Sequence, residues 1–146
     1  MMNFYYMYHR SAKKWNELKA VSEILGEDIL KPVRAQGTPW IDHRRKALRT
    51  LDRDYVCQVA HFQDVASGVR TDIPAGDVAK MKGYLMKMTS HEFVLHLAFY
   101  QDLVEDLAEL SVSLQADNLA LSAVRTNIEA TTVELRTKLT KPGPRL

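Results

Sequence analysis

The sequence predicts an all-α protein, a bundle of about five helices. Three observations predict it. Apolar side chains recur at steps of three and four over long stretches, the period of one helix face. Residues suited to cap, start or stop a helix stand at the ends of those stretches. The connections between them are mostly short, which makes neighbouring helices antiparallel.

Phe4, Tyr5, Tyr6, Met7 and Tyr8 form an aromatic run with no turn residue. It reads as a strand or as the end of a helix begun upstream, and a chain that opens inside an element suggests a fragment or an unusual start site. Ser11 follows as an N-cap, its hydroxyl placed to accept an orphan backbone N–H. Trp15, Leu18, Ser22 and Leu25, with Val21 and Ile24 beside them, then mark one helix face, and Gly26 ends it with a left-handed residue. Residues 27–40 read as irregular, because Pro32, Gly37 and Pro39 keep most of them out of a helix.

A long helix is predicted from Ile41 or Asp42 to Ala66, on the spacing of Leu48, Leu51, Tyr55, Val59, Phe62 and Ala66. Ser67 and Gly68 close it, and Val69 to Ile73 form a short loop. Pro74 suits the first turn of the next helix, where its missing N–H costs nothing. That helix runs to about Met88, weakened by Gly76 and Gly83. Thr89 and Glu92 stand in the order of a capping box. The helix behind them carries Phe93, Leu97, Tyr100, Val104, Leu107 and Leu114 at helical spacing over roughly 36 Å, the first five expected to be buried together. Asp102, Glu105, Asp106 and Glu109 share a side of that helix, read as a solvated face. The final helix carries Leu121, Val124, Ile128, Leu135 and Leu139, and Pro142, Gly143 and Pro144 stop it. Two or three heptads between turn signals fit an intramolecular bundle better than a coiled coil.

The 146 residues fit one domain, large enough for a core of its own. In order it comprises a lead-in (1–30), an irregular basic linker (31–40), a helical array (41–140) and a tail (141–146). A content of 46% hydrophobic and 26% charged residues is ordinary for a globular chain. The net charge of +2 is unevenly placed: residues 1–50 hold ten basic and five acidic side chains, and residues 91–146 hold five and eight. The basic end is the candidate for a polyanion. Cys57 is the single cysteine, so no internal disulfide forms, which suits a reducing compartment. No apolar run approaches the roughly 18 residues of a membrane span, and the N-terminal residues lack the pattern of a signal peptide.

Catalytic chemistry is not legible. His9, His43, His61, His91 and His96 include no pair at the spacing of a helical zinc site. Cys57 reads as a small core or boundary residue. Asp52 and Asp54 fall on different faces of a helix. No loop cradles a phosphate, and no nucleophile, base and oxyanion donor assemble. No metal, cofactor or small-molecule substrate is expected.

The stretch Lys31–Arg49, KPVRAQGTPWIDHRRKALR, stands apart with six basic residues, two prolines and a tryptophan. Trp40, Arg44, Arg45, Lys46 and Arg49, with Lys31 and Arg34 before them, make a candidate nucleic-acid contact, an aromatic ring for stacking beside cations for phosphates. The plainer reading has Trp40 in the core and the cations in water.

The segments YHRSAKKWNELK, GTPWIDHRRKAL, HFQDVASGVRTDI, DVAKMKGYLMKMTSHEFVLHLAFY and DLVEDLAELSVSLQAD, in that order and spacing, resemble hAT-family DNA transposases and the vertebrate proteins derived from them, of the zinc-finger-862-like group. The resemblance runs from about Tyr5 to Leu139. It implies a helical insertion domain preceded by a short remnant of an RNase H-like part, residues 1–30. It implies a nuclear setting; without it a cytoplasmic one is expected. The family often has Thr-Arg-Trp where this chain has Thr38-Pro39-Trp40. The tryptophan carries over to Trp40, near the DNA strand, and the arginine does not. None of the family's three catalytic acids falls on a residue of this chain, so no strand cleavage is expected. Two functions follow. One is a catalytically inactive, transposase-derived segment with weak, non-specific affinity for DNA through residues 31–49. The alternative is a helical interaction or oligomerisation module with a protein partner. Trp40 exposed beside Arg44, Arg45 and Arg49 favours the first.

Overall fold

The computed structural model describes residues 4–33, 40–69, 72–116 and 120–145. Among them are seven helices and no strand: α1 (Phe4–His9), α2 (Ala12–Leu25), α3 (Trp40–Arg53), α4 (Tyr55–Ala66), α5 (Ala75–Met88), α6 (His91–Ser113) and α7 (Leu121–Thr137). The all-α class holds. The count exceeds the expected five for two reasons. The aromatic run at the start is a short helix, α1. The long helix expected over residues 41–66 is interrupted at Asp54, which separates α3 from α4.

Local chemistry explains several of the ends. Ser11 has extended backbone and its Oγ accepts from Lys14 N–H at 3.3 Å, an N-cap for α2. Gly26 takes φ 70° and ends that helix, with Glu27 N–H donating back to Ser22 O at 2.9 Å. Gly68, at φ 73°, lets the chain leave α4. Before α6, Ser90 and not Thr89 is the capping residue. Its Oγ accepts from Phe93 N–H at 3.2 Å, while the Thr89 hydroxyl donates back to Leu85 O within the preceding helix. The expected capping box therefore does not form: the cap lies one residue later, and Phe93, three residues on, has no side-chain acceptor to complete it. Gly37 and Pro39 of the predicted irregular linker, and residues 70–71 of the predicted loop, lie outside the described residues; Lys31 to Val33 are non-helical.

The chain forms two compact units. The first comprises Met1–Arg34 and Arg49–Val94. Its core is Tyr8, Leu18, Cys57, Phe62, Val65, Met81 and Met88, with Trp15, Tyr55, Tyr84 and Phe93 among the partly buried residues around it. Here α2 packs on α1 and α4, and α4 on α5. Lys13–Asp72 and Lys14–Asp77 ion pairs link α2 to the turn before α5 and to its first turn, at 3.0 and 3.1 Å. Ile24, expected beside the apolar face of α2, is 83% exposed.

The second unit comprises Ala35–Leu48 and Leu95–Leu146. Its core is small: Ile41, Leu48, Val104 and Ala108, flanked by half-buried Leu97, Tyr100 and Leu107. The stripe of α6 expected to be buried together is thus divided, Phe93 serving the first core and Leu97, Tyr100, Val104 and Leu107 the second, while Leu114, just past the helix, is exposed. Only part of the α7 stripe is covered: Leu121 and Leu139 stay 84% and 80% exposed, and Thr131 is the buried residue of the helix.

Asp54 explains the interruption between α3 and α4. Aspartate is a poor helix interior residue because its carboxylate competes for backbone donors. Here the side chain is fully buried and accepts Leu30 N–H at 3.2 Å (Oδ1) and 3.3 Å (Oδ2). Burial raises the Asp54 pKa above the ordinary value, with the Leu30 N–H and Arg53 opposing the shift. A carboxyl with a raised folded pKa holds its proton longer in the native state. Stability therefore falls as pH rises from the unfolded pKa, about 4, through the folded one. Asp54→Asn is expected to lose less stability than wild type as pH rises above about 4, as read from urea midpoints. Equal losses in the two proteins would remove Asp54 as the cause.

Candidate functional site

Asp42 organises the basic stretch. It lies in the first turn of α3, where a carboxylate complements the positive helix end. It accepts Arg45 Nη2 at 3.0 Å and Lys46 Nζ at 2.8 Å, three and four residues on. Those bonds, from Lys46 first and Arg45 second, hold the Asp42 carboxyl below its ordinary pKa. Arg45 also faces Glu105 of α6 at 3.8 Å. Arg44 turns a different way and donates from Nη1 to the Tyr100 hydroxyl at 2.8 Å. The unfavourable placement of cations near a helix N-terminus is thus offset by internal partners, two of them on α6.

The expected site residues have separate fates. Arg44 and Arg45 are half-buried against α6 side chains, whereas Lys46, with its side chain 62% exposed, and Arg49 face solvent. Lys31 belongs to the first unit, its Nζ 5.9 Å from the ring centroid of Trp15, within cation–π range. Arg34 and Pro39 lie outside the described residues, as does the side chain of Trp40, although Trp40 opens α3.

Of the four acids of α6 expected to form a solvated face, Glu109 is exposed, and the other three are instead a row of partners. Asp102 holds Arg145, Glu105 faces Arg45, and Asp106 takes Lys138. Spacing of three and four residues aligns them on one side of the helix, as the sequence indicated. Their partners, which lie on α3 and in the C-terminal segment, are what residue spacing alone did not reveal.

A second polar cluster, in the first unit, was not foreseen. The Tyr8 hydroxyl lies 3.0 Å from His61 Nδ1, and His61 Nε2 lies 3.3 Å from Glu17 Oε2. Burial, then the carboxylates of Glu17 and Asp54, pushes the Tyr8 hydroxyl far above the ordinary tyrosine range, so it stays protonated. The arrangement that satisfies all three groups has Tyr8 donating to Nδ1 and Nε2–H donating to Glu17. The order acid, imidazole, hydroxyl resembles a catalytic relay. Tyr8 and His61 are 1% and 0% exposed, so no substrate reaches the hydroxyl. Its role is to clasp α1, α2 and α4 together. These residues are separated by 53 and 44 positions, and no short-range signal joins them.

Cys57 is buried in the first core, as the sequence indicated, and burial pushes its thiol pKa up, which makes it a poor nucleophile. Among the described residues, no group of three or more His, Cys, Asp or Glu side chains is placed to hold a metal ion. None of the helices described is long and apolar enough to cross a membrane. Comparison with protein-family models, with curated proteins and with solved structures gives no match to this chain.

Proposed function

We propose that the chain is a catalytically inactive helical module for protein–protein contact, and that its partner is a second copy of itself. The observation that carries this reading is the uncovered apolar side of α7. Leu121 and Ile128, 84% and 44% exposed, stand seven residues apart, close to two helical turns, and so share a side. Leu139, 80% exposed, follows in the turn just beyond the helix. Leucines left this open are candidates for burial in an interface. The resemblance to hAT-derived proteins supports an origin as an insertion segment that has kept its helical fold.

Weak nucleic-acid binding through α3 is a second reading, favoured by the exposure of Lys46 and Arg49. Arg44 and Arg45 favour it less, because Tyr100, Asp42 and Glu105 already engage them. Two measurements separate the readings. Sedimentation equilibrium is expected to show wild-type chain associating as concentration rises, and Leu121→Lys/Ile128→Lys remaining monomeric with unchanged circular dichroism. A monomer at every concentration for both proteins would end the self-association reading. Fluorescence anisotropy with a labelled single strand tests the other. Binding in the range of about 10⁻⁴ to 10⁻⁶ M that weakens with salt, with a flatter salt slope for Lys46→Ala/Arg49→Ala, would establish it. Equal binding by wild type and that variant, or none at low salt, would exclude it.

A further inference from the structure

Asp102 differs from the other acids of α6 in being enclosed. The residue is 2% exposed, and the segment that covers it is Pro142–Arg145. Arg145 Nη1 donates to Oδ1 at 2.7 Å, and the Arg145 backbone N–H donates to Oδ2 at 3.3 Å. Gly143 approaches so closely that a Cβ there would overlap the carboxylate. Its backbone is not left-handed, so close approach alone demands glycine. Pro142 and Pro144 restrict the backbone on either side, which lowers the entropy lost when the turn docks. The Lys138–Asp106 ion pair, one turn along α6, anchors the start of the segment.

This is a built site: a buried carboxylate, an arginine that donates to it once from its guanidinium and once from its backbone N–H, and a glycine fitted against it. A carboxylate so enclosed is costly without a countercharge. We infer that Asp102 is a receptor for an arginine-bearing Gly-Pro turn, filled in cis by residues 142–145, and that it accepts the same segment from a second copy when the cis one is displaced. The inference stands on α6 and the C-terminal segment and does not depend on the apolar side of α7.

A labelled peptide of sequence KLTKPGPRL, residues 138–146, tests it by fluorescence anisotropy. In the full chain carrying Gly143→Ala and Arg145→Ala the cis turn cannot seat, and the peptide is expected to bind. Wild type, with its receptor filled, is expected to bind about 30-fold more weakly or worse, and so is the freed chain with Asp102→Asn added. Should the freed chain lose its helical circular dichroism, Arg145→Ala alone serves in its place, leaving Gly143 intact and the Asp102 carboxylate without its cis cation. Failure to bind a folded acceptor, or equal binding with and without the Asp102 carboxylate, would overturn the inference.

Discussion

Phe62→Ala is expected to destabilise the chain by about 3–5 kcal/mol. Phe62 is fully buried on α4 and lies between the rings of His61 and Tyr84, each with its centroid 5.9 Å away. Truncation removes the ring from the middle of the first core, leaving a cavity that those neighbours cannot fill without moving. Domains of this size are stable by about 5–15 kcal/mol in total, so one substitution removes a large part of the margin. Urea unfolding followed by circular dichroism measures the loss. Ile24→Ala, at a position 83% exposed, is the control and should change stability by less than about 0.5 kcal/mol. A loss below about 1 kcal/mol at Phe62 would mean that the core described here is not the one that holds the protein together.

His61→Leu is expected to cost about 2–4 kcal/mol, by a different mechanism. The change keeps an apolar volume in the core but leaves the Tyr8 hydroxyl without its ring nitrogen, and a buried polar group that loses its partner costs about 1–3 kcal/mol. Glu17 loses the other nitrogen, 3.3 Å away. Tyr8→Phe in the His61→Leu background removes the stranded hydroxyl and should recover part of the loss. A double-mutant cycle should therefore give a coupling of about 0.5–3 kcal/mol. Additive effects within about 0.3 kcal/mol would show that Tyr8 and His61 do not act as a pair.

Helix existence was legible because its causes are local. Ser11 and Gly26 do in the structure what their chemistry required in the sequence, since a cap is made within four residues of itself. The interruption at Asp54 was not legible. Its cause is the Leu30 N–H, 24 positions away, to which the carboxylate turns. Thr89 and Ser90 illustrate a finer limit: both are capping residues in adjacent positions, and the end of α5 took one while the start of α6 took the other.

For the candidate site, the sequence alone determined that Arg44, Arg45, Lys46 and Asp42 would share the first turns of one helix, because a helical period places them there. It also determined that Asp102, Glu105 and Asp106 would share one side of another. Only the tertiary structure decided that the two sets were not both for solvent. It brings Glu105 opposite Arg45, gives Tyr100 to Arg44, and folds the C-terminal segment back so that Lys138 and Arg145 meet Asp106 and Asp102. The physical reason is range. Backbone period and caps act over three or four residues, whereas the partner of a charge is chosen by which helices pack together.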